Sequence, residues 1–269
     1  MPAKIISITI PKGGVGKTTT AVNLAATLAV YEKRTLLIDT DTAGACALAL
    51  GFTTEKIKGG LYEVFNFIQS FGQAVHRTEL PQLDFVPANV RTPQMEDRIQ
   101  RLSENRTMLR NTLRPLLPQY DYIIIDTPPT TRGLTMNVLA SADSIIVPIK
   151  AGHFSLDAID KLFKFIEHFR EIANPSLKIE GILQTMYEAN TKVTEITNRE
   201  LTTRFKKYLF PLVVPKNTHL SEAAFYGKPA IMFNATSKGA LAYMALAKHL
   251  IEKREQQSQT IAGVSGFSA

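Results

Sequence analysis

The 269-residue sequence contains a single cysteine, Cys46. One cysteine cannot form a disulfide within the chain, and it cannot build a Cys-rich zinc site or hold an iron–sulfur cluster within one subunit. No apolar run approaches the roughly 20 residues needed to cross a bilayer. The first ten residues also lack the apolar core and cleavage site of a secretory signal peptide. These absences predict a cytoplasmic protein that works without a disulfide and without a membrane span.

The composition is that of an ordinary globular protein. Apolar residues make up 45% of the chain and charged residues 20%, which excludes a mostly disordered or fibrous chain. Lys and Arg exceed Asp and Glu by 31 − 24 = 7, and the isoelectric point is near 9.4. This excess favours a polyanionic partner, but a merely soluble basic surface explains it equally well.

Apolar, β-rich segments alternate with helical stretches along the chain. The strand segments read KIISITI, RTLLID, LDFVPA, YDYIIID, SIIVPI and LKIEGILQTM. Such alternation predicts a single α/β domain with a mostly parallel central sheet and helices on both faces. Segments 122–125 and 144–149 are continuously apolar, which predicts central strands that are buried on both faces. We found no repeat and no linker, so residues 1–255 are predicted to form the domain and the Gln-, Ser- and Gly-rich residues 256–269 a disordered tail.

A glycine-rich loop follows the first strand and precedes the helical run AVNLAATLAV. Strand, loop and helix N-terminus together form a phosphate cradle, because glycines let backbone N–H groups approach the oxygens and the helix dipole favours an anion. Lys17 is expected to span the β- and γ-phosphates, Thr18 to bind Mg²⁺ and Thr19 to reach the α-phosphate. The predicted nucleotide-binding residues are Lys12, Gly13, Gly14, Val15, Gly16, Lys17, Thr18 and Thr19. An accidental glycine-rich turn is the weaker alternative, since the strand and helix that the motif requires are both present.

Acidic residues end two further apolar segments. Asp39 and Asp41 follow the segment LLI, and their i, i+2 spacing places both carboxylates on one side of a strand end, where α/β folds bind ligands. Asp126 follows the segment YIII and is expected to hold Mg²⁺ through water. Ordinary solvation of a strand end is the alternative for the first pair, whereas a carboxylate that ends a fully buried strand needs compensation. The predicted metal residues are Thr18, Asp39 and Asp126.

The loop departs from the plain P-loop pattern, because Pro11 occupies the first glycine position and Lys12 opens the loop. The string KGGVGKTT is the deviant Walker A motif, and in it the sequence resembles the ParA/MinD ATPases. The resemblance implies that Lys12 reaches the nucleotide of a partner subunit, that Asp39 lies near the metal and that Asp41 orients the attacking water. The expected catalytic residues are therefore Lys12, Lys17 and Asp41.

Later segments resemble the ParA/Soj group of partitioning proteins most closely. They are LQTMY at 183–187, VPKNTHLSEA at 214–223, GKP at 227–229 and SKGALAY at 237–243. The resemblance makes Pro215 and Asn217 candidate adenine contacts, because the Asn amide can read a base edge; a structural loop is the alternative. A MinD-like membrane helix is disfavoured, since the sequence after Arg254 lacks a cationic face opposed to Leu and Phe.

The DNA-binding residues of the group are not fully retained. Soj-like proteins carry DNA-contacting arginines at two positions that are occupied here by Asn190 and His219. The Pro-Gln pair that usually follows the second acid is replaced here by Thr42-Ala43. Nearby basic residues are candidates to replace the lost arginines, since unspecific binding requires only phosphate-neutralising charge on a common face; a solvated helix face is the alternative. They are Lys192, Arg199, Arg204, Lys206, Lys207 and Lys216, with the densest charge in the segment RFKKY.

Taken with the resemblance, these motifs predict a slow ATP- and Mg²⁺-dependent ATPase that dimerises when it binds ATP. The dimer is expected to bind the nucleoid through non-specific DNA contacts and to be stimulated by a ParB-like partner in chromosome or plasmid partitioning. A related ATPase that positions a protein cargo, such as a chemoreceptor cluster or a microcompartment, is an alternative that the missing arginines favour. A MinD-like membrane-bound protein and a metabolic P-loop enzyme that phosphorylates a small molecule are less favoured alternatives.

Overall fold

Eight strands build the centre of the computed structural model, which describes residues 2–265. The strands are β1 (Lys4–Ile8), β2 (Thr35–Asp39), β3 (His76–Arg77), β4 (Leu83–Val86), β5 (Tyr122–Asp126), β6 (Ser144–Lys150), β7 (Lys178–Tyr187) and β8 (Leu209–Pro215). The helices are α1 (Lys17–Val30), α2 (Ala45–Ala49), α3 (Leu61–Phe65), α4 (Pro93–Leu102), α5 (Met108–Leu113), α6 (Leu134–Ser141), α7 (His153–Ile172), α8 (Lys192–Phe205), α9 (Thr218–Phe225), α10 (Ala230–Phe233) and α11 (Lys238–Ser265).

The strands form one sheet in the order β3-β4-β2-β5-β1-β6-β7-β8. All neighbouring pairs are parallel except β3 with β4. The predicted α/β fold is confirmed, and so is the central position of β5 and β6. Strand β8 was not predicted from the sequence, and its segment LFPLVVP contains two prolines. Proline cannot donate to a strand ladder, and here it is accommodated because β8 lies at the edge of the sheet.

Alternate residues of the strands enter two separate cores, one on each face of the sheet. Ile5 packs into the core beneath helices α3 to α8, whereas its neighbour Ile6 packs into the core beneath α1, α2 and α11. Leu36 and Leu37 divide between the two cores in the same way. The helices therefore cover both faces, and only the strand ends remain available for a ligand.

Helix α11 continues past Gln256 to Ser265. It covers much of the segment that we expected to be disordered, which corrects that expectation for 256–265; residues 266–269 lie outside the described part of the chain. Helix propagation costs less than nucleation, so Glu, Gln and Arg residues can extend a helix that its buried residues Tyr243 and Leu246 already anchor. Within residues 2–265, no helix is both long enough and apolar enough to cross a membrane.

Candidate functional site

The glycine-rich loop joins the carboxyl end of β1 to the N-terminus of α1. Gly14 and Gly16 have φ values of 69° and 82°, in the left-handed region that favours glycine. Gly16 caps α1 without a side-chain hydrogen bond, so the first backbone N–H groups of the helix face the loop. A Cβ atom at Gly13 or Gly14 would meet no other atom within 4 Å, so it would project into open space in the loop. This geometry is that of an anion cradle at a helix N-terminus.

The two lysines of the loop have different partners. Lys17 is buried, and its Nζ donates to the Lys12 carbonyl oxygen at 2.8 Å. Burial lowers the pKa of Lys17, and the charges of Asp126 and Asp41 partly oppose that shift. The Nζ of Lys12 donates instead to the Ser155 hydroxyl at 3.0 Å, at the start of α7. Burial and the charge of Lys150 lower the pKa of Lys12, so an anion near Lys12 would stabilise its ammonium form.

Strands β2, β5 and β1 are neighbours, and their carboxyl ends bring the predicted metal residues together. Asp126 is in register with Ile8 of β1 and with Asp39 of β2. The Thr18 hydroxyl donates to Asp126 Oδ2 at 2.7 Å, whereas Asp126 Oδ1 is buried and has no hydrogen-bond partner. Burial raises the pKa of Asp126 to about 6, against the opposing hydrogen bonds from Thr18 and Cys46.

Asp39 shapes the loop that follows β2. It is fully buried and accepts hydrogen bonds from the backbone N–H of Asp41 at 2.9 Å and of Cys46 at 3.2 Å. Burial and the neighbouring Asp126 charge raise the pKa of Asp39 well above its usual range. Asp41 is less buried, and its Oδ1 accepts from the Ala43 N–H at 3.0 Å. Asp41 is therefore the acid of this pair that is more open to solvent.

These residues fit a divalent cation. An orphaned carboxylate oxygen on Asp126, a second buried carboxylate on Asp39 and the Thr18 hydroxyl offer hard oxygen ligands, which Mg²⁺ prefers. Two buried carboxylates disfavour each other's ionised form, and a cation between them would remove that cost. The arrangement can therefore hold a nucleoside triphosphate in the cradle, with a cation bound beside Thr18, Asp39 and Asp126.

The predicted adenine contacts follow the last strand, β8, at the same carboxyl edge of the sheet as the glycine-rich loop. Pro215 ends β8, and Asn217 caps α9, with its side-chain oxygen buried and lacking a partner. Strands β1 and β8 are three positions apart in the sheet, or about 14 Å at the usual spacing of about 4.8 Å. An extended nucleoside triphosphate spans a distance of this order. The amide oxygen of Asn217 would accept a hydrogen bond from an exocyclic amino group such as that of adenine.

The six basic residues proposed for DNA are spread from one end of α8 to the other. Lys192 begins α8 and Lys216 follows β8, both at the carboxyl edge of the sheet. Helix α8 then runs back for 14 residues, about 21 Å, and carries Arg204 towards the start of β8 beside Lys206 and Lys207. This separation depends on the direction of α8 and therefore has no signal in the sequence.

Three of the six basic residues are engaged in ion pairs. Arg204 pairs with Asp160 and with Glu200. Arg199 pairs with Glu195 at 3.5 Å, and Lys216 with Glu188 at 3.0 Å. Among the described residues, no such pair involves Lys192, Lys206 or Lys207. The net field of the group is therefore weaker than its count of positive charges suggests.

Two residues at the site have no signal in the sequence motifs. Ser155 bridges Lys12 to the carbonyl oxygen of Lys150, and Cys46 lies fully buried against Asp126. Both contacts depend on how α7 and α2 pack beside the loop. Sequence spacing alone does not reveal such packing.

Comparison with known proteins places the chain among P-loop proteins. The AAA domain family matches residues 3–179. The chain is 40% identical to the chromosome partitioning protein ParA of Myxococcus xanthus (strain DK1622), over 95% of this chain and 90% of that protein. It is 35% identical to the sporulation initiation inhibitor protein Soj of Bacillus subtilis (strain 168), over 92% of this chain and 98% of that protein.

A solved structure agrees in fold. Cobyrinic acid a,c-diamide synthase from Mycobacterium smegmatis, with a bound ATP analogue and magnesium, has a TM-score of 0.78 and 27% identity to this chain. The similarity covers 94% of this chain and 96% of that one.

Proposed function

The chain belongs to the ParA/Soj family of ATPases, and on that premise we propose that it is an ATP-dependent dimerising switch for chromosome or plasmid partitioning. The observation that carries the proposal is the pairing of Thr18 with Asp126 beneath the glycine-rich loop, with one Asp126 oxygen unpartnered. Similarity to a ParA and a Soj protein over more than nine-tenths of the chain supports the partitioning role.

In this proposal ATP occupies the cradle, with Asn217 and Pro215 at the adenine. Mg²⁺ bound by Thr18, with Asp39 and Asp126 nearby, would neutralise phosphate charge. Lys17 stabilises the charge that develops on the phosphates, and Asp41 orients the attacking water. The chain works by positioning and charge stabilisation, so its turnover without a partner is expected to be slow.

Lys12 couples the nucleotide to dimerisation in this proposal. The ammonium group of Lys12 donates to Ser155 on α7, whereas the ammonium group of Lys17 donates to the backbone of the loop at the Lys12 carbonyl. A lysine held at the side of the cradle can reach a phosphate presented by a second subunit. The homodimer would therefore form with ATP and separate after hydrolysis, which a ParB-like partner would stimulate.

The DNA contact is proposed for Lys206 and Lys207 of the dimer. Both are exposed and adjacent, and no ion pair among the described residues neutralises them. Dimerisation doubles the number of such charges that one DNA molecule can meet, which would make binding nucleotide-dependent.

Positioning of a protein cargo is the second candidate. It is favoured by the ion pairs of Arg199, Arg204 and Lys216 and by Asn190 and His219 at the two usual arginine positions. These features reduce the charge available for DNA but do not affect the nucleotide site.

Binding to unrelated DNA duplexes, measured with ATP, with ADP and without nucleotide, tests the proposal. Partitioning predicts binding with ATP that falls strongly with ADP. A dimer that forms with ATP but binds no duplex would contradict the DNA-binding role and favour the protein-cargo candidate. Turnover stimulated by a small metabolite, without dimerisation, would contradict both.

A further inference from the structure

The only cysteine of the chain, Cys46, contacts Asp126, one of the residues predicted to hold Mg²⁺. The proposed function gives this cysteine no role. Cys46 is fully buried near the start of the short helix α2. Its Sγ lies 3.5 Å from Asp126 Oδ2, and its backbone N–H donates to Asp39 Oδ2 at 3.2 Å. The thiol is therefore held between the two carboxylates that end β2 and β5.

A second, independent observation points to a ligand at this place. Asp126 is fully buried, yet its Oδ1 has no hydrogen-bond partner. One ligand atom from each of Asp39, Cys46 and Asp126 can be chosen so that all three lie within 4.8 Å of one another. Three atoms at such separations can be drawn onto a single ion with only small side-chain movements, since thiolate and carboxylate bonds to zinc are about 2.0–2.3 Å long.

The chemistry of these ligands differs from that of an all-oxygen site. Mg²⁺ favours hard oxygen atoms and keeps several waters, whereas a sulfur ligand selects softer cations. One thiolate with two carboxylates is a donor set for a tetrahedral cation that keeps one further position for water or a phosphate oxygen.

We infer that Asp39, Cys46 and Asp126 form a binding site for a thiophilic divalent cation of the zinc and cadmium class. On binding, a sulfur–metal bond forms, the S–H bond breaks and the thiol proton passes to solvent, with no change in oxidation state. Ligands such as thiols must lose a proton to bind a metal, so cation affinity at this site is expected to rise with pH.

The inferred site overlaps the Mg²⁺ site of the proposed function, because both use Asp39 and Asp126. A thiophilic cation held there would compete with Mg²⁺ and hinder the nucleotide switch. The inference goes beyond the proposed function, and its test needs no nucleotide, so either can fail without the other.

Cadmium titration of the untagged, chelator-treated full chain tests the inference, with the ultraviolet charge-transfer band of a sulfur–cadmium bond as readout. Because Cys46 is the only cysteine, any such band reports on this residue. The expected result is a band that saturates at one cadmium ion per chain and that zinc removes by competition. Cys46→Ser should lose the band, and Cys46→Ala serves the same purpose if the serine variant fails to fold.

Variants of the two carboxylates distinguish a three-residue metal site from cadmium binding by the thiol alone. Asp39→Asn and Asp126→Asn should each weaken cadmium binding about tenfold or more, in line with losses seen when even outer partners of a metal are removed. Asp97→Asn, at an exposed position on α4, is the matched control and should bind as the parent does. Absence of a band at stoichiometric cadmium would overturn the inference. Equal affinity in the parent and both site variants would overturn it too, since the thiol would then bind cadmium by itself.

Discussion

At the scale of single residues, the two lysines of the phosphate cradle have different hydrogen-bond partners. The Nζ of Lys17 is tied to the Lys12 carbonyl, and that of Lys12 to Ser155. The glycine pattern alone predicts that both lysines lie in the loop, but it does not predict the hydrogen bond from Lys12 to Ser155. That contact depends on the packing of α7, because Ser155 lies 143 residues further along the chain than Lys12.

Lys12→Ala should leave nucleotide binding intact and abolish dimerisation. Lys17 and the backbone N–H groups still hold the phosphates, whereas the contact to a second subunit is lost. Truncating one partner of a buried charge pair at an interface costs about 2–5 kcal/mol, which corresponds to a dimer weaker by about thirtyfold or more. Light scattering after size exclusion, with Mg²⁺ and a non-hydrolysable ATP analogue, measures this.

The matched control for this experiment is Lys164→Ala, at an exposed position on α7. It removes the same charge outside the cradle and should dimerise as the parent does. A Lys12→Ala variant that also dimerises normally would show that Lys12 is surface charge without a role between subunits.

Asp41→Ala should bind ATP, form the dimer and fail to hydrolyse the nucleotide. Asp41 is the more open of the two acids, whereas Asp39 is fully buried and holds the backbone of the loop through the N–H groups of Asp41 and Cys46. Asp39→Ala should therefore weaken Mg²⁺-dependent nucleotide binding as well. Phosphate release and dimer fraction, measured on the same samples, separate the two. Parental hydrolysis by Asp41→Ala would refute its assignment to the water.

At the scale of elements, α11 is fastened to the sheet by a buried acid on β7. Glu180 accepts hydrogen bonds from Lys253 of α11 at 2.7 Å and from Ser144 of β6 at 2.7 Å, and it pairs with Lys4 of β1 at 2.6 Å. Burial alone would raise the pKa of Glu180, but Lys4, Lys253 and Ser144 together hold it down at about 2.

A depressed carboxylate pKa stabilises the folded state above the unfolded pKa. The contribution of Glu180 is therefore present above pH 4.5 and lost as the pH falls towards 2. The difference corresponds to about 3 kcal/mol at neutral pH, at about 1.4 kcal/mol per pKa unit. Glu180→Gln should lower the free energy of unfolding by about this amount and flatten its decline between pH 4.5 and 2, measured by urea denaturation across pH.

Glu252→Gln is the control on the same helix, because Glu252 forms an exposed pair with Lys248. Surface pairs contribute about 0–1 kcal/mol, so this variant should follow the parent curve. An acid limb that is the same in Glu180→Gln and in the parent would show that other carboxylates govern the acid sensitivity.

The elements differ in how far the sequence predicts them. The central strands β5 and β6 are continuous apolar runs, and burial on both faces accounts for that pattern. The edge strand β8 has prolines and partly exposed residues, so it carries no such signal. The composition of 256–265 does not predict a helix, because this segment continues α11, which is held in place by buried residues nearer its start.

At the scale of the whole molecule, the proposed DNA contact depends on the separation of the basic residues along α8. Lys206→Ala with Lys207→Ala should weaken binding to all duplexes equally and reduce the slope of log affinity against log salt by up to about 2, at about 0.9 per lost phosphate contact. ATP hydrolysis without DNA should be unchanged, because both lysines lie far from the cradle along α8.

Lys192→Ala with Lys216→Ala is the matched comparison at the carboxyl edge of the sheet. It removes the same number of charges, and the salt slope should stay close to that of the parent. A reduced slope in this pair, with none in the Lys206 and Lys207 pair, would move the DNA surface to the nucleotide edge.

Sedimentation velocity of the unmodified chain measures whether ATP turns a monomer into a dimer, as we propose. The measurement compares Mg²⁺ with a non-hydrolysable ATP analogue, Mg²⁺ with ADP, and Mg²⁺ alone at one protein concentration. We expect a dimer with the ATP analogue and a monomer in the other two samples. The same sedimentation coefficient in all three, whether of a monomer or of a dimer, would contradict this proposal.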